Sequence, residues 1–392
     1  MNKIECTYPY NQINWGADGT MSPCCQLGKR RKLFGNIKTI EEYLKSKELE
    51  DLKTRLNNGE KVPECWRCWK QESLGIPSMR EKAADKQVEK ITELFITLGN
   101  QCNTACRICN PSRSSLIDKY NKDNIDLLKK LNIYTDDMYH HFPDGKVWYK
   151  NLLNDNEIFK NLELLAFTGG EPFINAHFDK LIDKIIKNKY DIDQIRITTN
   201  GSWTKESLAR IKYFPESNLC LSVDSLTEKY YEYLRWPLKW NDIKNRIQEA
   251  IDLKIKIDFQ VVMHNLNILD FKDTLMYLVD NKFYRKEDKQ VAITFTVISQ
   301  PNRYNWHVAP KRIKEKALKD LISIPDQYWE EFRIKPGKKE LVTFMEKQIN
   351  MPIEKQIIDE LKSYITFTDS YRGVDTWKIL GWNPEELYNE SI

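Results

Sequence analysis

Three cysteines at a C-x3-C-x2-C spacing are the residues of this chain best suited to chemistry. Cys102, Cys106 and Cys109 directly follow the apolar run 91–98. Thiolates are the ligands of iron–sulfur clusters, and a tight loop after a strand can direct three of them at one [4Fe–4S] cube. Three ligands leave one iron open, which favours a reactive site. Structural zinc is the alternative, although zinc sites of that type take four ligands.

Four further short motifs follow in order, each at the end of an apolar run. They are Thr168-Gly169-Gly170-Glu171-Pro172, Thr198-Thr199-Asn200-Gly201, Ser222-Val223-Asp224 and His264-Asn265-Leu266-Asn267. A single Gly-Gly-Glu is usually only a turn, but an ordered series at successive strand ends is far more specific. Together with the cysteine loop, the series resembles the radical S-adenosylmethionine (SAM) superfamily.

The resemblance implies a cofactor, a reaction and a set of binding residues. Cys102, Cys106 and Cys109 would hold a [4Fe–4S] cluster whose open iron takes the amino and carboxylate groups of SAM. Reductive cleavage of SAM would give a 5′-deoxyadenosyl radical, which abstracts hydrogen from a substrate C–H bond. The residues that the resemblance assigns to SAM are Gly169, Gly170, Glu171, Thr198, Asn200, Ser222, Asp224, Arg235 and Asn267.

Particular roles follow from the same resemblance. The two glycines would let backbone approach the methionine amino group, with Glu171 or the adjacent backbone accepting its hydrogen bonds. Thr198 and Asn200 would bind the ribose, and Arg235 would pair with the methionine carboxylate, with a surface arginine as the alternative. No catalytic acid or base is identified; His264 and Asp258 are candidates.

A second group of cysteines precedes the loop. A C-x12-G-x4-C pattern runs through Gly19, and a C-x2-C pair follows it; the four cysteines are Cys6, Cys24, Cys65 and Cys68. This arrangement resembles the SPASM and twitch auxiliary domains of radical SAM enzymes. It implies a closed auxiliary [4Fe–4S] cluster that relays electrons, with Cys25 spare or substituting for Cys24. Zinc held by four cysteines is the alternative.

The elements that must position these residues alternate along the chain. Apolar runs predict strands at 91–98, 162–167, 194–199, 218–223, 255–263 and 291–298, separated by amphipathic helical patterns. Such alternation predicts an α/β fold. With the resemblance, we expect a partial (β/α)6 TIM-like barrel with an N-terminal cysteine-rich auxiliary-cluster domain and a C-terminal helical extension. The expected domains are residues 1–88, 89–305 and 306–392, with a polar insertion near 134–150.

Polar residues occupy one face of four predicted strands. Asp258 and Gln260 share a face in the fifth strand, and Ser222 and Asp224 share one in the fourth. Since a conventional TIM barrel fills its interior with apolar side chains, a polar face suggests an interior that holds a ligand. The alternative is an open sheet whose polar face meets solvent.

Composition and charge indicate which partners and which cellular location to expect. The 392 residues carry a formal charge of +4, which gives no indication of a nucleic-acid partner. The sequence has no signal-peptide pattern and no apolar run of the ~20 residues that span a membrane, so we expect a cytoplasmic protein with no membrane partner. Eight of the nine cysteines lie in the first 109 residues, and in the cytosol such thiols bind metals more often than they form disulfides.

The expected partners are an electron donor such as flavodoxin or ferredoxin and a substrate. A peptide or protein side chain is the first expectation for the substrate. The alternative is a nucleoside or other small metabolite. A non-catalytic iron–sulfur or zinc-binding module is the alternative of another class.

Overall fold

The computed structural model describes residues 6–73, 78–83, 90–134, 146–281, 291–298, 300–330 and 333–391. The chain divides into two compact units. The first unit comprises Met1–Gln101, His141–Thr198 and Thr204–Ser217. The second unit comprises Cys102–His140, Thr199–Trp203 and Asn218–Ile392. The expected insertion at 134–150 lies mostly outside the described residues.

The first unit is built on parallel strands with a short antiparallel addition. Its strands are β1 (Gln12–Trp15), β2 (Met21–Ser22), β3 (Glu93–Thr97), β4 (Leu164–Thr168) and β5 (Gln194–Thr199). Their order is β2-β1-β3-β4-β5. Strand β1 pairs parallel with β3, with Gln12 opposite Glu93, and antiparallel with β2. The cysteine-rich segment therefore extends the sheet at β3 through two short strands that the sequence did not predict.

The second unit contains four parallel strands. They are β6 (Glu216–Ser222), β7 (Lys256–Met263), β8 (Val291–Val297) and β9 (Arg333–Lys335), in that order; the first two residues of β6 belong to the first unit. The register places Asn218 opposite Lys256 and Ile257 opposite Val291. Parallel pairing brings the carboxyl ends of these strands to one edge, where strand-end motifs meet.

Helices alternate with the strands as predicted, and the α/β class with its partial-barrel pattern is confirmed. In the first unit the helices are Tyr8–Asn11, Arg30–Phe34, Ile40–Leu44, Lys47–Asn57, Trp66–Ser73, Met79–Ala83, Lys146–Asn154, Ala176–Asn188 and Lys205–Ile211. In the second unit they are Ser115–Asp123, Ile125–Lys130, Glu228–Leu234, Trp240–Asp252, Phe271–Asp280, Lys311–Ile322, Asp326–Glu330, Lys338–Ile349, Lys355–Arg372, Thr376–Leu380 and Glu385–Tyr388. No helix in the described ranges is long and apolar enough to cross a membrane.

The predicted alternation of polar and apolar faces is present in the strands. In β7, Ile257, Phe259 and Val261 are buried, while Asp258 and Gln260 are half-buried. The Thr294 hydroxyl of β8 donates to the Asp258 carboxylate at 3.0 Å. The apolar phase supplies the core, and the polar phase remains partly accessible.

Candidate functional site

Two backbone hydrogen bonds fix the loop that carries the three cysteines, residues 102–109, which we call the cluster loop. The Ala105 N–H donates to the Trp236 carbonyl at 2.8 Å, and the Arg107 N–H donates to the Leu234 carbonyl at 3.0 Å. The loop therefore runs beside segment 234–236. This backbone pairing places Arg235 next to the cysteines.

Hydroxyl groups hold the loop from within. The Thr104 hydroxyl lies 3.1 Å from the Cys102 sulfur. The Ser115 hydroxyl accepts from the Cys102 N–H at 3.1 Å, and the Ser114 hydroxyl donates to the Thr104 carbonyl at 2.5 Å. Ser114 also caps the helix Ser115–Asp123. Sequence analysis missed these three residues, although a Ser-Ser pair at a helix start is a recognisable capping signal.

The three thiols lie close enough together to oppose each other's ionisation. Burial first, and then the neighbouring Cys106 and Cys102, raise the pKa of Cys109 to about 12. Metal ligation requires thiolates, and the positive charge of iron offsets such a penalty. Among the described residues no three Cys, His, Asp or Glu side chains are arranged to hold one metal ion. A cube instead binds each thiolate to a different iron, so this all-thiol set suits a cluster.

Asn200 reaches the cluster loop within the second unit. Its amide Nδ2 donates to Asn103 Oδ1 at 2.9 Å and lies 3.9 Å from the Cys102 sulfur. Its Oδ1 accepts from the Ser202 N–H, which forms the turn after β5. The structure thus brings this predicted SAM residue beside a predicted cluster ligand.

Arg235 and Asp224 form a buried ion pair beside the second cysteine. Arg235 Nη2 lies 2.6 Å from Asp224 Oδ2, and Arg235 Nη1 donates to the Cys106 sulfur at 3.5 Å. Arg235 is 8% exposed, so the surface-arginine alternative is wrong. Asp224 has a left-handed φ of 56° and accepts from the Val262 N–H at 3.1 Å. The pair thus joins the cluster loop to the ends of β6 and β7.

Asn267 and His264 complete that strand edge. Asn267 Nδ2 donates to the carbonyls of Asp224 and Val262, both at 2.8 Å, and its Oδ1 accepts from the His264 N–H. The His264 Nδ1 accepts from the Leu266 N–H, and burial lowers its pKa to about 4. His264 is therefore neutral at pH 7 and part of the turn. Of the two acid–base candidates, Asp258 is the accessible one.

The Gly-Gly-Glu motif lies in the first unit. Gly169 has a φ of 123°, and a Cβ on Gly170 would come within 2.0 Å of the Gln101 carbonyl oxygen. The Glu171 N–H donates to that same carbonyl at 2.7 Å. The Glu171 carboxylate is buried and accepts from the Phe173 N–H at 3.1 Å. The glycines permit close packing on residues 99–101, which directly precede Cys102 in the chain. Thr198 and Ser222 are half-buried at the ends of β5 and β6.

The four upstream cysteines form one group in the first unit. Burial first, and then the neighbouring Cys6 and Cys68, raise the pKa of Cys65 to about 12. The pKa of Cys24 is also raised, first by burial and then by Cys6. Cys25, next to Cys24 in the chain, is exposed. Four thiols drawn from distant segments supply the number of ligands that a closed cluster takes.

The C-terminal helix Lys355–Arg372 supports the cluster loop, which sequence analysis did not foresee. Arg372 donates to the Ala105 carbonyl and, at 3.3 Å, to the Tyr233 carbonyl. Arg107 is buried, donates to the Thr368 hydroxyl and lies over the Tyr233 ring. The sequence feature that could have indicated this support is Arg107, an arginine inside the cysteine motif that the motif does not require.

Comparison with known proteins finds similarity in both cysteine-bearing regions. Residues 96–278 match the family model for the radical SAM superfamily, and residues 6–69 match the SPASM model, an iron–sulfur cluster-binding domain. A solved structure named native anSMEcpe with bound AdoMet is also similar, with a TM-score of 0.40, 16% identity and coverage of 61% of either chain.

Curated relatives are similar at low identity. A GTP 3′,8-cyclase of Pasteurella multocida is 26% identical over 41% of this chain and 45% of its own length. A GTP 3′,8-cyclase of Nautilia profundicola is 22% identical over 61% of this chain and 65% of its own length. Molybdenum cofactor biosynthesis protein 1 of Dictyostelium discoideum is 26% identical over 46% of this chain. The chain thus spans only 26% to 65% of the length of these relatives.

The cysteine loop, the ordered strand-end motifs and the two family models lead to one assignment. The chain carries a radical SAM domain over residues 96–278 and a SPASM-type iron–sulfur cluster-binding domain over residues 6–69, the domains that bind SAM and [4Fe–4S] clusters.

Proposed function

We propose that Cys102, Cys106 and Cys109 hold the SAM-binding cluster and that the second unit binds SAM at its open iron. The observation that carries the proposal is the approach of Asn200 and Arg235 to the cluster loop. When bound there, SAM supplies a 5′-deoxyadenosyl radical after one-electron reduction. The protein's part is to orient SAM and substrate and to exclude water.

Each residue has a distinct task in this proposal. The Asn200 amide, beside Cys102, is positioned to bind the ribose. Arg235 has a buried partner in Asp224 and a second contact at Cys106, so it orients the methionine carboxylate from a fixed position. Ser222 and Thr198 offer hydroxyls at strand ends, and Asn267 keeps the edge of β6 and β7 in register. The backbone that leads into Cys102 is positioned by its packing against Gly169, Gly170 and Glu171.

We further propose that Cys6, Cys24, Cys65 and Cys68 hold an auxiliary [4Fe–4S] cluster. The grouping of the four thiols supports this assignment. A cluster with four protein ligands has no open iron for substrate, so electron relay is its role. In this view residues 1–88 form the auxiliary domain, 89–305 the barrel and 306–392 the extension, with flavodoxin or ferredoxin as the electron donor.

For the substrate, we propose a nucleotide or related small metabolite. Two of the relatives are named for GTP, and the polar face that includes Asp258 and Gln260 offers hydrogen-bonding groups to a polar ligand. The peptide or protein side chain that the resemblance first suggested has no comparable support.

The test is anaerobic reconstitution, followed by dithionite and SAM. Wild-type protein should form 5′-deoxyadenosine, and Cys102→Ala should form none. Arg235→Lys keeps the charge but loses the forked geometry, so its cleavage rate should fall by about tenfold to a hundredfold with iron content retained. Cleavage of SAM by Arg235→Lys at the wild-type rate would show that Arg235 does not take part in SAM binding. Absence of 5′-deoxyadenosine from wild-type protein with an intact cluster would overturn the proposal.

The substrate class needs a separate assay. GTP, ATP and a short peptide would each be incubated with the reconstituted enzyme and scored for accelerated 5′-deoxyadenosine formation and a mass-shifted product. Acceleration by a nucleotide supports the proposal. Acceleration by the peptide alone would contradict it.

A further inference from the structure

Trp66 is an exposed aromatic residue between two proposed auxiliary-cluster ligands. It follows Cys65 directly, precedes Cys68 by two positions, and is 49% exposed. Neighbouring groups hold the ring in place: a Cβ on Gly28 would lie 3.1 Å from the indole nitrogen, and the Arg67 guanidinium lies 5.1 Å from the ring centroid. A tryptophan that is both exposed and held in place is typical of binding surfaces, where Trp and Arg carry much of the affinity.

Positive side chains lie on, or directly follow in sequence, the segments that contact this ring. Loop 26–28 packs on the Trp66 segment, because the Gly28 N–H donates to the Glu64 carbonyl at 2.7 Å and Arg67 donates to the Gln26 carbonyl at 3.3 Å. The loop continues directly into a basic run, and Lys70 lies one turn after Trp66 on the same helix. Lys29, Lys32, Arg67 and Lys70 are exposed and Arg30 is half-buried. We call Trp66 with these five cations the basic face.

The acidic residues that flank the Trp66 helix in the described part of the sequence are partly buried or already paired. Glu64 is half-buried within the same segment. Glu72, on the same helix, is already paired with Arg80 at 2.8 Å, and Glu60 is paired with Arg55 at 2.6 Å. The basic face therefore keeps a local excess of positive charge in a chain whose net charge is only +4. Such an excess attracts an acidic partner and accelerates its association.

We propose that the basic face is the docking surface for an acidic one-electron carrier protein, with Trp66 at its centre. This inference rests on the proposed function, because the surface is useful for electron transfer only if Cys65 and Cys68 bind a cluster. The carrier loses one electron on docking and the enzyme gains one, so no bond is made or broken. The partner is recognised by its charge and by an apolar patch that covers the indole.

Reduced flavodoxin, which is acidic, is the probe. The measurement is the rate of its oxidation by anaerobically reconstituted enzyme, recorded by stopped flow at low and at high ionic strength. Charge reversal in Lys29→Glu/Lys32→Glu should slow the reaction by about tenfold or more at low salt. Trp66→Ser should slow it several-fold at both ionic strengths, since it removes apolar contact. The wild-type rate should fall with salt, because screening weakens attraction between exposed charges.

A matched double variant controls for total charge. Lys180→Glu/Lys187→Glu changes two exposed lysines of the helix Ala176–Asn188, outside the basic face, and should keep the wild-type rate. Iron content and dithionite-driven SAM cleavage, measured on every variant, report whether the clusters and fold survive. A loss of SAM cleavage in the wild-type protein would refute the proposed function, which is a different outcome from failure of docking.

Two results would overturn the docking proposal. One is an unchanged flavodoxin rate in both basic-face variants with full iron content. The other is tight, salt-sensitive binding of a single-stranded RNA oligonucleotide that the same variants abolish while flavodoxin oxidation stays unchanged. That second result would reassign the basic face to nucleic acid.

Discussion

Arg107, inside the cysteine motif, is ion-paired with Asp369 of the helix Lys355–Arg372, with 2.6 Å between Nη2 and Oδ1. The Arg107 side chain is fully buried, and the Asp369 side chain is 16% exposed. Asp369 also accepts from the Thr376 N–H at 2.9 Å. The charge on the cluster loop is thus neutralised by a residue far along the sequence.

Removing that carboxylate should release the cluster loop. In Asp369→Asn the guanidinium of Arg107 stays buried without its counter-charge, which costs about 3 kcal/mol of unfolding free energy. We expect a lower melting temperature and loss of the SAM-binding cluster on reconstitution. Thermal unfolding and iron analysis provide the measurement, with Glu360→Gln on the same helix as the control. Full iron content in Asp369→Asn would show that the pair does not support the loop.

Iron counting separates one cluster from two. The wild-type protein should bind about eight irons, and Cys106→Ala and Cys65→Ala should each bind about four, because each removes one ligand from a different cube. Cys220→Ala, outside both groups, is the control and should keep all of them. If Cys65→Ala instead lost zinc relative to wild type and kept its iron, the upstream group would be a zinc site.

Gly170→Ala should displace the segment that leads into Cys102. The added methyl group would lie 2.0 Å from the Gln101 carbonyl oxygen, a backbone atom that cannot move aside cheaply. We expect a loss of about 3 kcal/mol or more in unfolding free energy, in the range of severe overpacking. Gly337→Ala is the matched control, since its methyl group meets only the flexible Glu340 carboxylate. Equal stability of the two variants would contradict the expected clash.

Asp270 should make stability depend on pH. Burial raises its pKa from 3.8 to about 6, although hydroxyls of Ser225, Thr227 and Thr274 bind it. Between those values the folded state holds a proton that the unfolded state has released, so unfolding free energy falls as pH rises through this window. The total change is about 3 kcal/mol.

Asp270→Asn should remove that slope between pH values of about 4 and 6. Asp273→Asn, an exposed change on the same helix, should keep it. Denaturant unfolding at several pH values would compare the two variants with wild type. A slope that survives in Asp270→Asn would assign the pH dependence to other groups.

The six barrel strands could be predicted from sequence because each carries apolar residues on at least one face and ends in turn residues. The predicted strand 194–199 matches β5 to the residue, and 255–263 differs from β7 by one. Strands β1, β2 and β9 were missed because each spans only two to four residues. Their pairing depends on neighbouring strands, which a local pattern does not encode.

The candidate site was predictable where a residue type carries the chemistry. The cysteines and Asn200 follow from motifs, whereas Arg235 was ambiguous because its burial depends on the backbone pairing of Ala105 with Trp236. The contacts of Arg107 and Arg372 could not be predicted from the sequence. Both depend on the helix Lys355–Arg372, and no sequence motif links that helix to the loop.

The Arg107–Asp369 pair joins positions 262 residues apart. During synthesis the cluster loop leaves the ribosome long before the helix that secures it. The loop's buried form is therefore accessible only after residue 369 has been translated and its helix has packed. A cluster held by Cys102, Cys106 and Cys109, as we propose, would therefore be loaded late in the maturation of the chain.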